Sequence, residues 1–323
     1  MTIKHSLVIP CYNEEGNIEA FFAEACRAMA GYTEAFELVF VNDGSADGTA
    51  AVLDRLYADH PERQLTVIHF SRNFGKEAAM YAGLRAARGE YVTVIDADLQ
   101  QPPETAVEMG RLLDAHPEYD IVAACPEKRQ ESRFLRFCKT RFYRLIDRVS
   151  EVKFIEGASD FRTMRRPVTE ALISLPEYHR FSKGLFAFVG FPTLTVTYTV
   201  RARQSGTTKW SFFKLLRYAL DGILAYTDLP LLLPLYLGGA LSLLGTAGLL
   251  AALIVRLCAG VPVFGWALAA LAVLLCGIVL ISNGVMGAYI GKIHTQGRRR
   301  PVYIVREMKA PADEPESGYL PNR

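Results

Sequence analysis

The chain is 323 residues long, enough for one large or two smaller domains, and its 36 Lys and Arg nearly balance 34 Asp and Glu for a net charge of +2. That balance excludes the strongly basic surface of a nucleic-acid-binding protein, so no nucleic-acid partner is expected. Hydrophobic residues make up 50% of the chain, an ordinary share until their distribution is seen, because they concentrate toward the C-terminal end.

Residues 1–125 alternate short apolar runs with amphipathic stretches. The alternation predicts strands near 5–10, 36–41, 65–70, 91–95 and 120–124 in a mainly parallel α/β sheet. Met1 to His5 lead straight into the first strand without an apolar h-region, so no signal peptide is expected. Val8-Ile9-Pro10-Cys11-Tyr12-Asn13-Glu14-Glu15 and Val39-Phe40-Val41-Asn42-Asp43-Gly44-Ser45 share one design, an apolar run that stops in polar, Gly and Pro residues. This is the pattern of buried parallel strands whose carboxyl ends open on a crevice, and several such ends in one open sheet surround one site.

Tyr91 to Ile95 repeats the design and ends in Asp96-Ala97-Asp98-Leu99-Gln100-Gln101-Pro102-Pro103. Unpaired carboxylates are costly at the mouth of a buried strand, which makes Asp96 and Asp98 ligands rather than core residues. A hard divalent cation such as Mg2+ takes carboxylate oxygens and keeps its remaining positions for water and phosphates. Asp98 is the first metal ligand expected, Gln100 a neutral oxygen beside it, and Asp96 either a ligand or a contact to sugar or ribose. Asp43 can accept hydrogen bonds from a base or ribose, although Asp43 and Asp47 equally suit turn and helix caps.

Beyond the fifth strand, Lys128 to Arg148 carries a local excess of Lys and Arg that points to anionic headgroups or phosphates. Phe134, Phe137, Phe142, Leu145, Ile146 and Val149 are spaced for a helix with apolar and basic faces, lying on a membrane or packed on the sheet. Gly157-Ala158-Ser159-Asp160-Phe161-Arg162 places Asp160 in a turn of small residues, and Phe212 to Tyr226 is a second amphipathic stretch. No charge occurs for 27 residues between Asp228 and Arg256, nor for 35 between Arg256 and Lys292. Each run can cross a bilayer, which takes about 20 residues at a rise of roughly 1.5 Å.

Two spans are therefore expected, about 229–255 and 265–290, with a short connection broken by Gly260, Pro262 and Gly265. Lys209, Lys214 and Arg217 precede the pair and Lys292, Arg298, Arg299, Arg300 and Arg306 follow it, whereas only Arg256 lies between. By the positive-inside rule both flanks are cytoplasmic. The domains expected are a cytoplasmic catalytic domain over 1–210, an amphipathic juxtamembrane helix over 211–228, the spans within 229–291, and a cytoplasmic tail over 292–323, disordered after about 310. Gly238, Gly239, Gly245 and Gly248 offer small-residue surfaces for helix packing and a homo-oligomer. Cys11, Cys26, Cys125, Cys138, Cys258 and Cys276 lack metal-ligand spacing and read as reduced thiols.

The four motifs Val8 to Glu15, Val41 to Thr49, Ser71-Arg72-Asn73-Phe74-Gly75-Lys76-Glu77 and Asp96 to Pro103 resemble the family 2 glycosyltransferases. From residue 5 to about 307 the chain is similar to the polyprenyl-phosphate hexosyltransferases within them, the dolichyl-phosphate mannose synthases and bactoprenol glucosyltransferases. The resemblance implies a GT-A-like nucleotide-sugar-binding domain followed by amphipathic interface helices and a two-helix membrane hairpin. It implies inverting transfer of a hexose, glucose from UDP-glucose, to undecaprenyl phosphate, with a divalent cation, Mg2+ or Mn2+, at the bacterial inner membrane. GDP-mannose or a modified sugar is the alternative donor, and a catalytically silent membrane scaffold the alternative to an enzyme.

By the same resemblance Pro10, Tyr12, Asn13, Glu14, Asp43, Arg72, Lys76 and Asp96 serve the donor. Arg203 and Lys209, from a loop resembling Arg-x-x-Gly-x-Ser-Lys with Thr208 in place of Ser, serve its diphosphate. Asp160 stands on the acceptor side as base or orienting group, with Arg162 beside it. Arg129, Arg133, Ser159 and Lys183 serve the acceptor, and Pro126 stands where related chains commonly carry Arg. A processive polysaccharide synthase is disfavoured for want of a Gln-x-x-Arg-Trp motif and further spans. Dehydrogenase and kinase readings fail for want of their glycine-rich phosphate loops.

Overall fold

The computed structural model describes residues 2–127, 159–175, 177–178, 180–201 and 300–311, together with single positions between 265 and 297. The chain divides into two compact units, one of Met1–Arg144, Val152–Ser211 and Arg300–Arg323, the other of Leu145–Glu151 and Phe212–Arg299. In the second unit the described positions from Gly265 to Gly297 are helical. Among the described residues no helix is long and apolar enough to cross a membrane. The amphipathic stretches read at 130–150 and 211–228, the first expected span and the tail after 311 lie outside the described residues.

The first unit is an eight-stranded sheet. Its strands are β1 (His5–Cys11), β2 (Phe36–Asn42), β3 (Leu65–Phe70), β4 (Tyr91–Val94), β5 (Ile121–Pro126), β6 (Arg162–Arg165), β7 (Thr193–Tyr198) and β8 (Val305–Lys309). They lie in the order β7-β5-β6-β4-β1-β2-β3-β8. The pairs β1–β2, β1–β4, β2–β3 and β5–β7 are parallel, while β6 runs antiparallel between β4 and β5 and β8 runs antiparallel along β3. The five strands read from the apolar runs are present to within two residues. The mainly parallel α/β sheet is the one expected, with three further strands that lack a buried apolar run.

Helices α1 (Ile18–Ala30), α2 (Thr49–Asp59), α3 (Lys76–Ala86), α4 (Pro103–Ala115), α5 (Arg166–Ser174) and α6 (Ser182–Phe188) cover both faces. Side chains alternate across a strand, so Leu7 and Ile9 join Phe21, Leu38, Phe40 and Leu53 in one core while Val8 joins Val39, Val41, Ile68 and Met80 in the other. Two buried faces explain why these strands read as continuous apolar runs. The cysteines Cys11, Cys26 and Cys125 are free thiols.

One domain boundary needs correction. The sequence places 292–323 as a tail outside a catalytic domain of 1–210, whereas residues 305–309 form the edge strand of that domain. Val305-Arg306-Glu307-Met308-Lys309 alternates too few apolar side chains to announce a strand, because at a sheet edge only one flank is covered.

The strand order reverses beside β1, with β2 on one side and β4 on the other. That switch point opens a crevice between the carboxyl ends of adjacent parallel strands. Helix α3 closes the sheet below it at Gly83, where a Cβ would overlap Val8 Cγ1 and lie 3.3 Å from Val41 Cγ2. Overpacking of this kind costs about 1–3 kcal/mol. Gly83→Ala is therefore expected to lower the urea midpoint of the purified protein without changing the slope of its unfolding transition.

Candidate functional site

Loops after β1, β2 and β4 line the crevice. Asn13 sits at φ 55°, a left-handed conformation that its neighbours hold in place. Its N–H donates to Ser45 Oγ at 2.9 Å and its Oδ1 accepts from the Ala46 N–H at 2.9 Å. Glu14 N–H donates to Thr49 Oγ1 at 2.9 Å, and Glu15 Oε2 accepts from the Gly48 N–H at 2.6 Å. These reciprocal bonds lash the loop over residues 12–17 to that over 43–49 as one wall, on which Tyr12 is 40% exposed. Pro10 lies beneath, opposite Val41 in the β1–β2 register.

Asp43 builds the adjoining wall. Its two oxygens accept from the N–H groups of Phe74 at 2.7 Å and Gly75 at 2.9 Å. Burial pushes its carboxyl up to about 6 even though these hydrogen bonds and Arg72 pull the other way. Gly44, at φ 61°, lets the Arg72 backbone pass so close that a Cβ would overlap it. Arg72 lies 4.0 Å over the Phe74 ring and donates to Asn73 O at 2.9 Å. Asp43 and Arg72 thus order the loop over residues 71–75, a framework role beside the donor role expected of them.

The Asp-x-Asp turn follows β4. Leu99 is buried at φ 59°, and Asp98 Oδ1 accepts from the Gln100 N–H at 3.1 Å. Gln101 Oε1 accepts from the Asp96 N–H at 2.9 Å, and its Nε2 donates to Asp96 Oδ2 at 3.4 Å. Sequence reasoning passed over Gln101, whose only signal was a second amide in a motif already assigned to metal. Lys76, the first residue of α3, reaches Asp96 Oδ1 at 2.6 Å and Asp160 Oδ2 at 3.6 Å. Burial works against its charge, but Asp96 and then Asp160 outweigh burial and hold the ammonium above the usual lysine range. Lys76 therefore joins directly the carboxylates of Asp96 and Asp160, expected on the donor and acceptor sides. The other Asp160 oxygen, Oδ1, is buried and has no hydrogen-bond partner among the described residues.

The residues around Asp160 are supports. Ser159 Oγ donates to Ala124 O at 3.0 Å, so its hydroxyl is engaged with backbone. Arg162 is 4% exposed, donates to Ser159 O at 3.0 Å and stacks 4.3 Å over the Phe186 ring. Burial lowers its guanidinium to about 10. These contacts let Ser159 and Arg162 hold the Asp160 turn, a framework role beside the acceptor and catalytic roles expected of them. Glu77 Oε1 and Oε2 accept from the Ser182 N–H at 3.2 and 3.1 Å, and Ser182 Oγ also donates to Glu77, which ties α3 to the start of α6, where Lys183 follows. Arg129, Arg133, Arg203 and Lys209 lie outside the described residues.

Asp98 with Gln100 suits one face of a hard cation, and Asp96 can join it only by sharing its charge with Lys76. Among the described residues no three His, Cys, Asp or Glu side chains come together to hold a metal. A cation at Asp98 would therefore draw most of its shell from water and substrate oxygens, the habit of Mg2+ beside phosphates.

Glu77 carries a pH signature. Burial, then the nearby Asp160 charge, raises its carboxyl from 4.5 to about 7. A raised acid binds more protons folded than unfolded, so its stabilising effect is full below about pH 4.5 and is lost as pH rises toward about 7. The shift corresponds to about 3 kcal/mol as an upper bound. Thermal unfolding from pH 4.5 to 7.5 is expected to show a smaller decline in Tm for Glu77→Gln than for the wild type.

The family model for "Glycosyl transferase family 2" matches residues 6–173. The uncharacterized glycosyltransferase sll0501 of Synechocystis sp. is 42% identical over 311 residues, covering 95% of this chain and 96% of that one. The putative glycosyltransferase CsbB of Bacillus subtilis is 36% identical over 318 residues, covering 98% and 95%. A bactoprenol glucosyl transferase of Shigella phage SfV is 35% identical over 311 residues, covering 95% and 99%. With more than half of the chain matched by the model and relatives aligned almost end to end, the chain belongs to glycosyl transferase family 2.

Proposed function

We propose that this enzyme transfers glucose from UDP-glucose to undecaprenyl phosphate, with inversion, on the cytoplasmic side of a bacterial inner membrane. The observation that carries the reading is the pairing of Lys76 with both Asp160 and Asp96 of the Asp-x-Asp turn, with one Asp160 oxygen buried and lacking a hydrogen-bond partner among the described residues. The full-length match to a bactoprenol glucosyl transferase supports the acceptor and the sugar.

In the proposed reaction the lipid phosphate oxygen attacks the anomeric carbon, and the bond to the departing nucleoside diphosphate breaks with its electron pair leaving on the diphosphate. A lipid phosphate is already anionic near neutral pH, so Asp160 orients the acceptor more than it removes a proton. Lys76, between Asp96 and Asp160, limits the repulsion between the two carboxylates. Asp98, with Gln100, would hold the divalent cation, which when bound neutralises charge developing on the diphosphate. The loops over residues 12–17 and 43–49 form the cradle for the nucleoside.

Membrane attachment draws support from three observations. Two uncharged runs of 27 and 35 residues lie between Asp228 and Lys292. Helical positions Leu268, Leu275, Val279, Met286, Ile290 and Ile293 carry exposed large apolar side chains, as a lipid-facing helix does. Residues 201 and 300 belong to the same unit, so any membrane crossing between them is matched by a return, which favours two spans with both flanks on one side.

A transfer assay tests the reading, using full-length protein in detergent, undecaprenyl phosphate, Mg2+ or Mn2+, and labelled UDP-glucose, UDP-galactose and GDP-mannose. Label in the lipid phase from UDP-glucose is expected. Label from GDP-mannose alone changes the sugar, and none from any donor removes the transferase reading. Asp98→Ala is expected to cut turnover at least a hundredfold, about the loss on removing a group that stabilises transition-state charge. Asp160→Asn should reduce kcat more than it raises the KM for UDP-glucose, since its one donor-side contact is the long 3.6 Å pair to Lys76.

A further inference from the structure

A polar series runs from the C-terminal strand to the nucleoside cradle. Lys309 Nζ, on β8, lies 2.5 Å from Asp54 Oδ1 on α2 and 3.5 Å from Glu307 Oε1. The same Asp54 oxygen is 3.1 Å from Nε2 of His69, a fully buried residue of β3. Nδ1 of that ring is 3.0 Å from Asn42 Nδ2, its register partner at the end of β2. Asn42 Oδ1 accepts from the Ser45 N–H at 3.0 Å, and Ser45 Oγ in turn accepts from the Asn13 N–H at 2.9 Å.

Hydrogen-bond chemistry fixes the direction of this series. The Ser45 N–H can only donate, so the Asn42 oxygen faces it and the Asn42 NH2 faces His69. His69 Nδ1 is then the acceptor, and the ring proton sits on Nε2, donated to Asp54. Burial works against the Asp54 charge, but the hydrogen bonds from Lys309 and His69 outweigh it and hold the carboxyl below the usual range. Tyr57 fastens the same segment a second time, its hydroxyl donating to Ala310 O at 2.6 Å.

We infer that Lys309, Asp54 and His69 are positioning residues that set the Asn42–Ser45 loop for the nucleoside diphosphate, so that donor affinity depends on strand β8. The inference rests on the nucleotide-sugar reading above. The series ends in the loops after β1 and β2 and includes neither Asp160 nor α6, so loosening it weakens the donor and spares the acceptor. Losing a buried hydrogen-bond partner weakens a site by about fivefold to a hundredfold, and removal of a distant member falls at the lower end.

Steady-state transfer and calorimetric titration with UDP and with GDP test the inference on the full-length protein in detergent. Lys309→Met, at a side chain 27% exposed, and His69→Phe are compared with the wild type and with Lys309→Arg. Lys309→Met is expected to raise the donor KM and the nucleoside diphosphate Kd about fivefold, with the KM for undecaprenyl phosphate unchanged. Lys309→Arg should restore both, and His69→Phe should exceed the Lys309→Met effect. A lowered Tm with unchanged donor KM and Kd in Lys309→Met overturns the inference, whether or not His69→Phe folds. A wild-type protein that binds neither nucleotide and makes no glycolipid overturns the functional reading, and the inference with it.

Discussion

The ammonium of Lys76, held between Asp96 and Asp160, is the interaction on which the crevice depends. Carboxylates gathered at strand ends repel one another and lose solvation, and either cost would push one of them toward its neutral form. A single cation from the start of α3 offsets both. In the proposed reaction the roles divide as Asp98 for a cation, Asp96 shared between support and substrate, and Asp160 toward the acceptor, with one oxygen lacking a hydrogen-bond partner among the described residues.

Around this centre the walls are made by polar groups that bond to backbone. Asp43, Glu15, Gln101, Ser159 and Glu77 each accept from or donate to main-chain groups of another segment or the next turn. Such bonds stiffen loops that a sheet only begins to order, and they explain how Asn13 and Leu99 keep left-handed conformations that cost energy in isolation. A site built this way tolerates little displacement, because each loop is held by atoms of its neighbour and not by its own sequence.

The architecture also gives the C-terminal strand a part in the cradle. Residues 305–309 lie on β3, and from there Lys309 reaches, through Asp54 and His69, the loop that follows β2. The segment between residues 212 and 299 is thus bracketed by two stretches of the same unit.

By itself the sequence determined the five apolar strands, the switch-point crevice and the Asp-x-Asp motif, since these rest on local patterns: apolar runs that stop abruptly and acids that make poor core residues. It also carried the resemblance that named the family. Only the tertiary structure decided which polar group serves which partner. Ser159 and Arg162 bond to the backbone around Asp160; Asp43 is bound to the loop over residues 71–75; Gln101 went unread; and β8 looked like a tail. Gln101 and Arg162 bond within their own turns, whereas Ser159, Asp43 and β8 meet partners whose adjacency is set by sheet order, up to 255 positions apart for Lys309 and Asp54. Local pattern records what a residue can bond, and strand order records what stands within reach.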